Sequence, residues 1–216
     1  MAKDRPLLET ATQFPKKRTY YQILALQICC NWKMKLIRPE EFHLTSYVAA
    51  LNRAIDLGTT NTERAQRKLS EIAADPESFL AKQEDPEALS GELKLSDWSY
   101  VPRIPSKMRF LWDGEICGTI SFSWQVGTTQ LPPYYLGHIG YEVFSWKRGK
   151  GYATESLRQI LSEPLELGMP FVELVTNPEN LNSQRVITKN GGVLHERFVQ
   201  PELHGGKDGL KYRIYL

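Results

Sequence analysis

The stretch that decides the fold is YEVFSWKRGKGYAT, residues 141–154. An apolar strand pattern ends at Phe144, a tight turn follows with Gly149 and Gly151, and a helical pattern begins near Ala153. Glycine adopts positive φ without steric cost, and the first N–H groups of a helix are unpaired donors with partial positive charge. Three cations add to this charge: Lys147, Arg148 and Lys150. The stretch therefore predicts a cradle for a pyrophosphate.

The glycine spacing does not fit the two common nucleotide loops. A Walker loop requires G-x-x-x-x-G-K followed by Ser or Thr, and the turn has neither residue at that distance. A Rossmann fingerprint requires a third glycine three residues after the second, where Thr154 stands here. The Rossmann turn also follows the first strand of its unit, whereas this strand lies late in the chain. Neither motif explains the turn.

Hydrophobic periodicity predicts the elements before the turn. Apolar residues at helical spacing occupy 44–55 and end at Gly58. Thr60-x-x-Glu63 has the spacing of a capping box and precedes a second amphipathic helix. Residues 75–96 are acidic and interrupted by prolines, so we expect a loop or a broken helix there. Asp113-Gly114 separates two strand patterns and predicts a tight hairpin.

After the turn, the pattern predicts a helix over 153–167, with Pro164 expected to kink or end it. A compact apolar strand follows at 171–176, then a short helix at 183–189 and two last strands at 193–199 and 210–216. The whole order is β-α-α-β-β-β-α-β-α-β-β. It predicts a single α/β (α+β) domain, in which a mixed sheet carries helices on its faces.

Composition limits the class of partner. The 216 residues include 41% apolar and 24% charged side chains, as in a soluble globular protein. A net charge of +2 gives no field that favours nucleic acid or a membrane surface, so neither is expected as a partner. The odd set Cys29, Cys30 and Cys117 is not a secreted disulfide framework, and no zinc spacing is present. We expect a cytoplasmic protein with reduced thiols and no metal.

Residues 1–33 precede the first strand pattern. A basic triplet at 16–18 and an apolar run at 23–30 follow the order of a signal peptide. The run is far shorter than the ~20 residues that span a bilayer, Gln27 interrupts it, and no small-residue cleavage site follows. We expect 1–33 to be an N-terminal extension, or the product of an upstream translation start, and 34–216 to form the domain.

Two motifs resemble the GNAT superfamily of acyl-CoA-dependent N-acyltransferases. Residues 148–153, RGKGYA, match the family pattern Gln/Arg-x-x-Gly-x-Gly/Ala. Residues 180–191 resemble the family helix Asn-x-x-Ala/Ser-x-x-Leu-Tyr/Phe-x-Lys-x-Gly. The element order also agrees, so the resemblance covers about residues 34–216. GHIGY at 137–141 and NGG at 190–192 further resemble a bacterial subgroup of acetyltransferases whose substrates are mostly unassigned.

The resemblance implies a GNAT fold, with a mostly antiparallel central sheet, splayed central strands and helices on both faces. It also implies that the loop amides hold the pyrophosphate of acetyl-CoA and that Asn180 contacts the pantetheine. The implied acetyl-CoA site comprises Val143, Phe144, Arg148, Gly149, Lys150, Gly151, Tyr152, Ala153, Thr154, Asn180 and Ser183. The alternatives are that Tyr152 and Ala153 only pack and that Lys147 is solvated.

Amine acylation requires removal of a proton from the amine. The candidate bases are Glu142 and His138, which share one face of the strand at 137–144. The alternatives are an exposed strand carboxylate and a core histidine. The family's frequent general-acid tyrosine falls at Ile187, which cannot donate a proton. The alternatives are that the thiolate leaves unprotonated or through water, that another group such as Tyr141 or Tyr152 replaces the tyrosine, or that catalysis is weak. Cys117, in mid-strand without a neighbouring histidine, is expected to be structural.

The acceptor is expected to be a small-molecule primary amine. A protein N-terminus or lysine is the alternative enzyme substrate, and a non-catalytic acyl-CoA-binding module is the alternative class. Five aromatic residues either line the acceptor pocket or anchor loops: Trp98, Tyr100, Trp124, Tyr134 and Tyr135. Homodimers are common in the family, so the resemblance allows a homodimer.

Overall fold

The computed structural model of the protein describes residues 34–95 and 99–216. The predicted extension 1–33 and the candidate pocket residue Trp98 lie outside these residues. The division of the chain at residue 33 therefore stays a prediction. No helix in the described ranges is long and apolar enough to cross a membrane.

The first half of the described chain contains β1 (Lys35–Ile37), α1 (Glu41–Asp56), α2 (Thr62–Ala74), α3 (Pro76–Ala81), β2 (Glu84–Asp85), β3 (Glu92–Lys94) and β4 (Tyr100–Pro102). The second half contains β5 (Ser106–Trp112), β6 (Ile116–Ser123), β7 (Ile139–Val143), α4 (Tyr152–Ile160), α5 (Ser162–Glu166), β8 (Phe171–Thr176), α6 (Leu181–Lys189), β9 (Val193–Val199) and β10 (Asp208–Tyr215). Two single 3-10 turns lie at Ser145–Lys147 and Glu202–His204.

The strands form two principal sheets. One has the order β1-β5-β6-β7, with β2 also pairing to β5, and the other has the order β8-β10-β9. Every ladder among the described strands is antiparallel. The β5–β6 hairpin turns at Asp113-Gly114, as the sequence predicts. Gly118 in β6 is required by close approach, since a Cβ there would lie 2.0 Å from the Glu142 carbonyl oxygen in β7.

Apolar cores lie on both faces of the strands. One core joins α4 and α6 to the sheets through residues that include Leu157, Leu174 and Ile187. The other joins α1 and α2 to the opposite face through residues that include Tyr47 and Phe110. These two cores confirm the prediction of helices on both faces of an antiparallel-rich sheet.

Three local predictions need correction or refinement. The cap of α2 is Asn61, whose side chain accepts the Arg64 N–H at 2.8 Å, so the predicted capping box at Thr60 is wrong by one residue. The helix predicted over 153–167 is two helices, and α4 ends at Ile160 because Pro164 has no N–H to donate to the Ile160 carbonyl. The acidic segment at 75–96 contains α3, β2 and β3, and α3 is capped by Asp75, whose side chain accepts the Ser78 N–H.

Candidate active site

The site begins where β7 and β8 part. The Ser123 N–H donates to the His138 carbonyl at 2.8 Å, and the Phe144 N–H donates to the Cys117 carbonyl at 2.9 Å. Because alternate residues of an antiparallel strand bond to one partner, the odd-numbered residues of β7 point their backbone groups away from β6, toward β8. No ladder joins β7 to β8 within the described chain. The gap therefore leaves backbone donors and acceptors open.

His138 links the two strands at the start of this gap. Its N–H donates to the Glu173 carbonyl at 2.8 Å, and its Nδ1 accepts the Glu173 N–H at 3.0 Å. The side chain is only 1% exposed. Burial lowers the pKa of His138, although Glu173 and the Thr129 backbone act in the opposite direction. A ring nitrogen that accepts a hydrogen bond carries no proton, so the imidazole is neutral. His138 therefore lies in the core, as the core-histidine alternative expects.

Two cavities run along the split. The larger, of about 600 Å³, extends from the end of β7 over the glycine turn to α6. It brings together ten of the thirteen predicted site residues: Glu142, Val143, Arg148, Gly149, Gly151, Tyr152, Ala153, Thr154, Asn180 and Ser183. The smaller, of about 270 Å³, lies between β7 and β8 and shares Tyr141, Asn180 and Ser183 with the larger. His138, Phe144 and Lys150 line neither cavity.

The glycine turn has the backbone conformation that its sequence predicts. Gly149 and Gly151 have φ values of 78° and 79°, in the left-handed region. Gly151 is the N-cap of α4, and its carbonyl accepts the first helical hydrogen bond, from Glu155, at 3.0 Å. The preceding N–H groups of the first helical turn have no intrahelical partner. Residues 152–154 line the larger cavity, so these donors and the helix dipole can serve an anion there.

Lys147 is not a free cation of this cradle. Its ammonium is buried and pairs with Asp113 at 2.8 Å and with Glu115 at 2.7 Å. Burial alone would lower the pKa of Lys147, but the hydrogen bonds that its ammonium donates to Asp113 and Glu115 raise it above the usual value. The expectation of a solvated lysine is therefore wrong, whereas a role for Lys147 as a cation of the cradle stays a prediction, because Lys147 also lines the larger cavity. The positive charge of Lys147 is used to hold the turn against the β5–β6 hairpin.

The same Asp113 also holds the start of α4. The Tyr152 hydroxyl donates to the Asp113 carboxylate at 2.7 Å. Burial would raise the pKa of Asp113, but the bonds from Lys147 and Tyr152 lower it to about 2. The bond to Asp113, with burial, raises the pKa of Tyr152 to about 12. Tyr152 thus packs against the hairpin, and its proton is committed to a carboxylate.

The remaining cations lie at the cavity or its rim. Arg148 donates from Nε to the Val143 carbonyl at 3.0 Å, one of the open backbone groups of β7. Lys150 is exposed, with Nζ 5.9 Å from the centre of the Tyr152 ring. Sequence reasoning missed Arg185 and Lys189, which line the cavity from α6. Their spacing of four residues on one helix face is the signal that predicts a shared direction.

Phe144 does not line the cavity, contrary to the sequence expectation. It is 4% exposed, and its ring stacks on Trp146 with centroids 5.0 Å apart and planes 1° from parallel. Strand alternation turns its side chain to the core shared with α1 and α2. Its N–H and carbonyl are also occupied, by the Cys117 carbonyl and the Lys147 N–H. Phe144 therefore packs in the core next to the turn and not at the cavity wall.

The helix α6 presents two polar groups at the split. The Asn180 Oδ1 caps the helix by accepting the Ser183 N–H at 3.0 Å. The Ser183 Oγ lies 2.7 Å from the Tyr141 hydroxyl of β7. Ile187, one turn further along, is 1% exposed and lines the smaller cavity. The position of the family's usual tyrosine is therefore apolar at the cavity wall.

Glu142 faces a polar cluster on the other side of β7. Its Oε1 accepts the Thr60 hydroxyl at 3.0 Å, and the Lys68 ammonium donates to the Tyr47 hydroxyl at 2.9 Å. Burial, followed by Arg64, lowers the pKa of Lys68 to about 8, which Glu142 opposes. Thr60 lies 82 residues from Glu142, so no local spacing could have joined them. This contact also explains why Thr60 does not cap α2.

Cys117 has the properties of a structural thiol. It is fully buried, and burial together with Asp113 raises its pKa to about 12. A thiol of such pKa is not a nucleophile at neutral pH. Residues 34–95 and 99–216 contain no group of three or more His, Cys, Asp or Glu arranged to hold a metal ion.

Comparison with known proteins identifies the class. The Acetyltransferase (GNAT) domain model matches residues 59–193, more than half of the chain, so the protein belongs to the GNAT acetyltransferase family. The family predicted from the two motifs is thus confirmed, and the protein is an acetyl-CoA-dependent N-acetyltransferase of GNAT type. A search of curated proteins found no match.

Solved structures show the same fold at low identity. The microcin C7 self-immunity acetyltransferase MccE, solved with acetyl-CoA and AMP, is 17% identical, with 86% of this chain and 94% of that chain covered and a TM-score of 0.55. RimL, the ribosomal L7/L12 alpha-N-protein acetyltransferase, was solved with coenzyme A. It is 16% identical, with 85% of this chain and 94% of that chain covered and a TM-score of 0.53. The Salmonella typhimurium acetyltransferase that modifies the N-terminal serine of L7/L12 is 16% identical, with 85% of this chain and 95% of that chain covered and a TM-score of 0.53. The splayed GNAT fold is confirmed.

Proposed function

We propose that the protein transfers the acetyl group directly from acetyl-CoA to a primary amine of a small molecule. One observation carries this proposal. The larger cavity joins the glycine turn to Tyr141–Val143 at the end of β7, with Glu142 on its wall, and the smaller cavity in the gap between β7 and β8 shares Tyr141, Asn180 and Ser183 with it. A pyrophosphate at the turn would place the pantetheine arm along the open edge of β7, with its thioester end near that carboxylate.

The turn and α4 supply the charge that the pyrophosphate requires. The N–H groups of residues 152–154 and the α4 dipole lie at the cavity wall, and Arg148 adds a cation. Val143 offers backbone groups at the edge of β7, while the amide nitrogen of Asn180, whose oxygen already caps α6, is a donor for a pantetheine carbonyl. Lys150 contributes only long-range charge in this arrangement.

Glu142 is the proposed base. The amine nitrogen attacks the thioester carbonyl, the C–S bond breaks, and the proton lost by the amine passes to Glu142 directly or through one water. The Thr60 hydroxyl fixes one carboxylate oxygen of Glu142, which leaves the other oxygen to accept. His138 is proposed instead to hold β7 and β8 at the start of the gap, because its Nδ1 is occupied by the Glu173 N–H.

A protein amino group is the second candidate acceptor. Two of the similar structures are acetyltransferases of ribosomal protein L7/L12, and a third is the self-immunity acetyltransferase of microcin C7. Identities of 16–17% carry the fold and not the substrate. The two acceptor classes therefore have to be separated by experiment.

The test measures release of free CoA from acetyl-CoA with two acceptor sets. One set contains small primary amines, and the other contains peptides with free N-termini or lysine side chains. Release that depends on a small amine, and that Glu142→Gln slows about 100-fold, supports the proposal. Release with peptides alone moves the assignment to a protein acetyltransferase. Binding of acetyl-CoA without release on any acceptor supports the binding-module alternative and overturns the proposal.

A further inference from the structure

Two cations of α2 lie in the polar cluster that surrounds the proposed base. The Lys68 ammonium is half-buried and donates to the hydroxyl of the fully buried Tyr47 at 2.9 Å. Burial has the largest effect on the pKa of each of these two side chains, and the charges of Glu142 and Arg64 come next. Arg64 lies four residues before Lys68, so the two cations share one face of the helix. The base, the phenol and the two cations therefore form one cluster.

The two cations form no ion pair within the described part of the chain. Burial, followed by Arg64, lowers the pKa of Lys68 to about 8. Glu142 and Glu71 oppose this shift without cancelling it. A half-buried ammonium bonded to a neutral phenol is poorly compensated, and a second cation one helical turn away adds repulsion. The cluster is therefore suited to bind an anion.

This cluster lies on the face of β7 that is covered by α1 and α2. Tyr141 and Val143 pack with the core of α4 and α6, whereas Phe144 packs with the core of α1 and α2. Glu142 is turned to the second face, since its Oε1 accepts the hydroxyl of Thr60 from the loop between α1 and α2. Acetyl-CoA bound along the glycine turn and α6 would occupy the first face. The amine then has to approach the thioester from the second face, past the two cations.

We propose that the acceptor carries an acidic group, a carboxylate or a phosphate, beside its primary amine, and that Lys68 and Arg64 bind this group. This inference rests on the proposed function and names the class of amine on which it acts. The amine lies at Glu142, which takes its proton, and the acidic group lies between the two cations of α2. The planar fork of Arg64 suits two oxygens of one acid, and the Lys68 ammonium adds a compact charge.

Neither the phosphates of CoA nor the support of Tyr47 accounts for the two cations. Both cations lie outside the two cavities described above. The larger cavity has its own cations in Arg148, Arg185 and Lys189, in addition to the first turn of α4. A neutral donor would satisfy the Tyr47 hydroxyl without the cost of a half-buried charge. The acceptor is the ligand that remains to use them.

The test compares acceptors in pairs that differ in the acidic group. Each pair shares its carbon chain and its primary amine: amino acids beside their amides, and O-phosphoethanolamine beside ethanolamine. Release of CoA from acetyl-CoA gives kcat and KM for each acceptor, at equal concentrations of the unprotonated amine. We expect the wild type to favour the acidic member of at least one pair by about 20-fold in kcat/KM. The pair with the larger preference distinguishes a carboxylate from a phosphate.

Variants of Lys68 test the binding role. Lys68→Met should raise the KM of the acidic acceptor about 20-fold, while its kcat and the KM of the neutral acceptor change less than about threefold. Lys68→Arg keeps the charge and should retain more of the preference than Lys68→Met does. The matched control is Lys35→Met, which removes the charge of an exposed lysine in β1 and should leave the kinetics of both acceptors unchanged.

The outcomes separate this inference from the proposed function. Equal kcat/KM for the two members of every pair, with turnover of both, would overturn the acidic acceptor and leave the small-amine acetyltransferase standing. A fall in kcat that is equal for both acceptors in Lys68→Met would also overturn it, because a group that binds only the acid cannot slow the neutral amine. Release with peptides alone, or with no acceptor, would overturn the proposed function and this inference with it.

Discussion

The buried ion pair beneath the glycine turn gives a quantitative prediction. The side chains of Lys147 and Asp113 are 7% and 9% exposed, and Asp113 also accepts the Tyr152 hydroxyl. The pKa of Asp113 falls from 3.8 to about 2 on folding. At about 1.4 kcal/mol per pKa unit, this shift corresponds to about 2.5 kcal/mol of stability. Asp113→Asn should lose about that amount at pH 7.

The sign of the pH dependence follows from the depressed pKa. A carboxylate whose pKa is lower in the folded state contributes its full stabilisation above the unfolded value of 3.8. That contribution falls as pH drops toward about 2, where the folded protein also takes up the proton. The difference in unfolding free energy between wild type and Asp113→Asn should therefore shrink between pH 4 and pH 2.

The assay is urea denaturation followed by tryptophan fluorescence at several pH values. In a separate thermal melt at pH 7, the melting temperature of Asp113→Asn should lie roughly 5–10 °C below that of the wild type. Glu115→Gln is the matched control, because Glu115 binds the same ammonium at 2.7 Å but its side chain is 58% exposed, so it should cost under about 1 kcal/mol. Equal losses for the two variants, or a loss for Asp113→Asn that does not vary with pH, would refute the reasoning.

Three further predictions concern the site. Gly151→Ala places a Cβ on a residue with φ of 79°, at a strain of about 1–2 kcal/mol, and should weaken acetyl-CoA binding at least tenfold by calorimetry; unchanged affinity would contradict the cradle. Glu142→Gln keeps the shape of the side chain and should lower kcat about 100-fold with unchanged affinity for acetyl-CoA, whereas a wild-type kcat would remove Glu142 as the base. His138→Ala leaves the Glu173 N–H without its partner and should cost about 2 kcal/mol in chemical denaturation; a loss of kcat without a loss of stability would instead favour His138 as a base.

The sequence predicts elements whose cause is local. The Asp113-Gly114 hairpin, the strand 171–176 and the positive φ of Gly149 and Gly151 all match their predictions. Each depends on a few adjacent residues, through turn chemistry, alternation or the missing Cβ of glycine. The break in the helix near Pro164 belongs to the same class, because proline acts on the residue four positions before it.

What the sequence does not predict depends on contacts between distant residues. Lys147 pairs with Asp113, which lies 34 positions earlier in the chain. Thr60 donates a hydrogen bond to Glu142 and does not cap a helix. Phe144 is apolar and next to the turn, yet only the packing of α1 and α2 decides that its ring faces away from the cavity. Pairings of this kind are set by the tertiary fold and leave no periodic signal in the chain.

The same distinction applies to the larger cavity, the proposed acyl-CoA site. Among the residues at and after the turn, all of 148–154 except Lys150 line this cavity, as one local conformation predicts. The opposite wall of the cavity was not predicted, because Arg185 and Lys189 reach it from α6, a helix that follows another strand. The acceptor side depends on loops whose apolar and aromatic residues suit a core as well as a pocket.

Calorimetric titration of the purified protein with acetyl-CoA, beside Gly151→Ala at the same concentration, tests the central claim most directly. The account predicts saturable heat for the wild type, competition by free CoA, and at least tenfold weaker binding to the variant. Absence of binding to the wild type would contradict the assignment of the glycine turn, and equal binding to both proteins would show that CoA is held elsewhere.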